Sequence, residues 1–180
     1  MSSASPTSRC RMLLRRFRRS RRGSAALEFV LVAPVFFALL FAIIETGIMF
    51  FASQVLETVT QNSARIILTG QAQKASYTQS QFAAFICTQV PALFNCSNIY
   101  FDVEAYSAFA SINVSSQIDG SGNFVTSNLG FNPGGPNDIV VVRLFYKWPL
   151  FVTGLGYNIS NLTGNQRLLV ATAAFQNEPY

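Results

Sequence analysis

The residues from Phe29 to Ala52, FVLVAPVFFALLFAIIETGIMFFA, constrain this chain more than any other stretch. As a helix they measure about 36 Å, which is enough to cross a hydrocarbon core of about 30 Å with some tilt. Residues 29 to 44 carry no charge; Glu28 stands at the entrance, and Glu45, Pro34 and Gly47 interrupt the run. An interior proline removes a helical hydrogen bond and usually bends the axis. Such breakers persist in membranes where neighbouring helices satisfy the freed groups. The expectation is one membrane span.

Charge sets its direction. Residues 1 to 22 hold eight Arg and no acid, whereas from Ser24 onward five basic residues face eight acidic ones, a net of −3. The basic balance therefore belongs to the tail and not to a folded surface, so it reads as a topology signal beside a span in preference to a phosphate grip for nucleic acid. A cleaved secretory signal fits poorly, because the apolar core is too long and the small residues Gly23, Ser24, Ala25 and Ala26 precede it. A mitochondrial transit peptide shares the Arg-rich, acid-free tail, but the arginines do not alternate with apolar residues.

Past the membrane the helix is expected to continue to Thr69, with Val55, Leu56, Val59, Ile66 and Ile67 on one side and Gly70 as the stop. That makes a rod over 24–69, after a basic leader over 1–23 and before a domain over 70–180. A polar linker, 71–80, precedes a short apolar helix that Pro91 stops. With the Arg-rich end retained in the cytoplasm, everything beyond the span lies outside, where disulfides persist. A Cys87–Cys96 disulfide is favoured over two free thiols, and Cys10 falls in the leader. No metal is expected at the cysteines, since their spacing fits no zinc pattern and the chain has no His.

The remainder reads as sheet. Ile99, Phe101, Val103 and Ala105 alternate with polar neighbours; Val140, Val142, Leu144, Tyr146 and Trp148 alternate with Arg143 and Lys147; Arg167 to Phe175 gives another strand. Two weaker strands flank the turn Asp119-Gly120-Ser121-Gly122-Asn123. The prediction is an α+β chain: a long N-terminal transmembrane helix, then an extracytoplasmic domain with a short helix and an antiparallel β-sheet of about four or five strands. Asp102 and Glu104 are placed to face Arg143 and Lys147 across it, although solvated charges on an exposed face are the commoner outcome. Neither a histidine base nor a paired-carboxylate pattern nor a Gly-rich phosphate loop is present, so no enzyme activity and no cofactor are expected.

The stretch RRGSAALEFVLVAPVFFALLFAIIETG, residues 21 to 47, resembles the processing site of type IV prepilins and more closely the TadE-like minor pseudopilins of tight-adherence pilus systems. YKWPLF at 146 to 151 and RLLVATAAFQNEP at 167 to 179 are similar to the same family. The resemblance implies a prepilin peptidase cut after Gly23, Ser24 as the new N-terminus, Glu28 as the fifth mature residue and Phe29 after it. It also implies a bacterial inner membrane setting with the N-terminus cytoplasmic and the C-terminal domain periplasmic. The implied partners are the lipid bilayer, the peptidase, other pilins or pseudopilins and the pilus assembly machinery, with no nucleic acid.

The cut would create an ammonium at Ser24 about one helical turn from Glu28, and a carboxylate of the same or a neighbouring subunit neutralises it in a low-dielectric setting. The contrasting reading of Glu28 is an interfacial residue reaching the headgroups. For the whole chain, the contrasting function is an uncleaved, membrane-anchored binding protein of the envelope.

Overall fold

A computed structural model describes residues 24–90, 92–152 and 157–180. The basic leader, Cys10, Gly23 and the expected helix stop Pro91 lie outside the described residues. Helix α1 spans Ser24–Leu68 and runs through Pro34 without a break. Contacts divide the chain into two units, one ending at Ile43 and one beginning at Ile44.

In the first unit α1 is apolar and open on all sides: Leu31 is 74% and Ile43 70% exposed. An exposed surface of this kind suits a lipid or protein environment and not water. In the second unit the same helix becomes one-sided. Glu45, Met49, Ala52, Leu56, Val59, Ser63 and Ile67 are all buried, at steps of three and four residues that align them along one stripe. Of the expected stripe, Leu56, Val59 and Ile67 are buried and Val55 and Ile66 pack partly buried against the same core; the stripe starts about three turns earlier, at Glu45.

Gly70 follows with φ 70, and the Tyr180 ring lies where a Cβ would stand, so this stop requires glycine for both backbone and space. The linker contains a four-residue helix, α2 (Gln71–Lys74). Helix α3 (Gln79–Gln89) begins at a capping box in which Thr78 and Gln81 satisfy each other's backbone N–H groups.

Three antiparallel strands, β1 (Ile99–Tyr106), β2 (Ile139–Pro149) and β3 (Gln166–Gln176), form a sheet in the order β1-β2-β3. The central strand is buried from Ile139 to Tyr146 on both faces. On one face Val103, Val140, Val142, Leu144, Tyr146 and Ala171 join the core of α1 and α3. On the other, Phe145 packs with Leu162 and Leu168, and Tyr100, Ile118, Phe124 and Leu129 close over them.

Two expectations need correction here. Among the described residues the four or five strands reduce to three, because the segment around the Asp119 turn forms only the isolated bridge Ile118–Phe124. Its Ser, Asn and Asp side chains bond the local backbone instead of leaving it for a ladder: Asp119 accepts from the amides of Ser121 and Asn123 at 2.9 and 2.8 Å. The bonds from Asn123 hold the Asp119 carboxyl below its ordinary range.

The second correction concerns the charges. Asp102 and Arg143 are not a solvated pair: they are register partners across β1 and β2 and are 1% and 4% exposed. Arg143 donates to Asp102 from Nη2 at 2.6 Å and from Nε at 3.2 Å. The remaining groups reach the covering loop: Gly130 N–H donates to Asp102 at 2.8 Å, and Arg143 Nη1 donates to the Ser115 carbonyl at 3.1 Å. Glu104 lies opposite Val141 and accepts from the Tyr106 hydroxyl, while Lys147 lies over the Tyr100 ring.

Removing one member of a buried pair leaves the other charge uncompensated, which costs about 3–5 kcal/mol. Asp102→Ala in the detergent-solubilised chain is expected to lower unfolding stability by that amount, read from Trp148 fluorescence in denaturant. The apolar double variant Asp102→Leu/Arg143→Met is expected to recover much of it.

Candidate functional site

Of the residues singled out in the sequence, Ser24, Glu28 and Phe29 belong to the first unit and Cys87 and Cys96 to the second. Ser24, the residue after the expected cut, is the first residue of α1. Glu28 and Phe29 follow on it, both exposed, with Phe29 at 66%. Glu28 stands four residues after Ser24, about one turn along the same helix.

Cys87 and Cys96 are bonded to each other, with Cα atoms 5.6 Å apart. The bridge ties the end of α3 to a single 3₁₀ turn, Cys96–Asn98, that leads straight into β1. Within this loop Phe94 is buried edge-on against Tyr146, with ring centres 4.8 Å apart. The disulfide thus holds the end of α3 close to the start of β1, and Phe82 and Phe101 of the two elements pack on each other with ring centres 5.2 Å apart.

The residue that sequence reading undervalued is Glu45. It stood out only as an interruption in the apolar run. In the structure it is 8% exposed and heads the buried stripe of α1. Its carboxylate accepts from the backbone N–H of Phe151 at 2.5 Å and from that of Val152 at 3.1 Å, immediately after β2. Beside it, the Thr46 and Tyr157 hydroxyls are hydrogen-bonded. The available signal was spacing: 45, 49, 52 and 56 share one face, so an acid at 45 points with the core residues and needs donors there.

The described residues contain one helix long and apolar enough to cross a membrane, and its best stretch has a mean hydropathy of 2.7. This suggests a membrane anchor. The TadE-like protein family matches residues 23–65, which covers Gly23 and all but the last three residues of α1. No curated protein matches the chain, and no solved structure matches it.

Hydrogen bonds to a charged group contribute about 1.5–3 kcal/mol, so Glu45→Ala should release the residues after β2. Hydrogen exchange in detergent is expected to speed up about ten- to hundredfold at the Phe151 and Val152 amides, with little change at the β2–β3 ladder.

Proposed function

We propose that this chain, TadE-like over residues 23–65, is the precursor of a minor pseudopilin whose role is the assembly of a tight-adherence, type IV-like pilus. The family match and the apolar helix associate it with a membrane and a pilus system. The observation that carries the finer reading is where the match begins. Residue 23 is a glycine, it is followed by helix, and the acid five residues further on precedes an open apolar surface.

In this reading a prepilin peptidase cuts the Gly23–Ser24 bond on the cytoplasmic side of the inner membrane, and the leader's arginines hold that side in place. The mature chain keeps its span and its extracytoplasmic domain. The Glu28 carboxylate of one subunit then meets the new Ser24 ammonium of another, an attraction that strengthens as lipid and packed helices exclude water. The helix macrodipole favours the acid near the N-terminus and opposes the amine, so the pair gains from having the carboxylate present. The proposed role is structural and not catalytic: the chain has no histidine, and its eight acids are dispersed or engaged in the fold.

Intact mass and N-terminal sequencing of the protein from its native host test the cut. Loss of residues 1–23 is expected; a retained leader favours the uncleaved, membrane-anchored envelope binding protein. Glu28→Gln should leave membrane insertion and cleavage unchanged while reducing recovery in the pilus fraction, and undiminished recovery argues against the charge pairing.

A further inference from the structure

The charge-free stretch of α1, residues 29 to 44, is short for a membrane. Its length is about 24 Å, whereas about 20 residues are needed to fill a hydrocarbon core. Counted from Phe29, the span then ends near Ile48, and Glu45 falls inside its last turn. An ionised carboxylate turned toward lipid at that depth is costly. The apolar surface nevertheless continues past it: Ile44, Ile48, Phe50 and Phe51 are 46%, 43%, 63% and 62% exposed.

What covers the carboxylate is the segment that leaves β2. Leu150 turns inward and is 7% exposed, the Phe151 and Val152 amides close on Glu45, and the Phe151 side chain points outward. At 84% exposed, Phe151 is the most exposed large hydrophobic side chain among the described residues. Because its own amide is held by Glu45, the ring's position along α1 is set to within a few ångström. It stands level with a helical turn that the span requires to be in the bilayer.

We propose that Pro149 to Val152 form a second membrane contact, in which the Phe151 ring enters the boundary between headgroups and acyl chains. Its backbone N–H groups satisfy Glu45, so lipid meets a phenyl ring there and not a carboxylate. The occupant is a lipid bilayer, because the ring's own amide is bonded to Glu45 in the last turn of the span, where Ile44 and Ile48 of the same unit are also exposed apolar side chains. Phe, like Leu and Trp, is among the residues whose apolar side chains bury into the headgroup and acyl-chain boundary on the apolar face of interfacial segments. This inference rests on the membrane span of the proposed function and adds that the domain itself touches the bilayer.

The test uses the full chain in phosphatidylcholine/phosphatidylglycerol vesicles. The native Trp148, 9% exposed, gives the background emission. Phe151→Trp adds a reporter that keeps an aromatic ring at the site. Leu39→Trp reports on the span, and Phe109→Trp reports on an exposed position of the domain; both parent residues are 59% exposed.

The added Phe151→Trp emission is expected to be blue-shifted and quenched by phosphatidylcholine brominated near the headgroup end of its chains. Aqueous iodide should quench it little, and Phe109→Trp should show the reverse. Quenching by iodide at Phe151→Trp, with Leu39→Trp still quenched by brominated lipid, overturns this inference and leaves the span intact. Iodide quenching at both overturns the span as well. Protection from both quenchers at Phe151→Trp means that protein covers the site, such as a second copy, and overturns the lipid contact.

Discussion

A carboxylate near the end of an apolar helix has to be solvated, neutralised or hydrogen-bonded, and most of the domain is arranged around how Glu45 meets that demand. Its acceptors take the two amides that follow β2. β2 is the central strand, paired on both sides, so a bond at its end fixes the strand along α1 and carries β1 and β3 with it. From Glu45 onward every three or four residues of the helix turn a side chain into the core those strands supply. Before Glu45 the large apolar side chains of the helix are exposed among the described residues.

The other face of the sheet depends on a second buried charge in a similar way. Asp102 and Arg143 neutralise each other and also bond Gly130 and Ser115, which belong to a stretch too rich in Ser, Asn and Gly to hold a ladder. That stretch still closes over Phe145 and Leu168 through Ile118, Phe124 and Leu129. Apolar contacts alone do not determine the path of such a loop, whereas a charged pair with directional bonds favours one arrangement, provided all its groups are satisfied. The disulfide performs a related task at the start of β1, joining α3 to the turn that leads into it.

Much of this was legible in the chain before any coordinates. The apolar run, the Gly70 stop, the short helix that contains Cys87 and the alternation in β1 are local patterns, and each formed close to where it was expected. The misread elements share a cause. Arg143 alternates with apolar residues as a surface charge does, and only the loop from 112 to 131 lying over it makes it a core residue. The two weaker strands expected on either side of the Asp119 turn do not form a ladder, because polar side chains there capture the backbone bonds. Glu45 looked like a flaw in a span because its donors come from more than a hundred residues away.

The sequence by itself determined a long apolar helix with an acid at its entrance, a one-sided continuation, an antiparallel sheet and a cysteine pair. These follow from periodicity, length and composition, which act over a few residues. Tertiary structure alone decided that the sheet has three strands, that Asp102 and Arg143 lie in the interior, and that Glu45 is held by Phe151 and Val152. The reason is that burial of a charge depends on which distant segment arrives to cover it. No local pattern records that arrival.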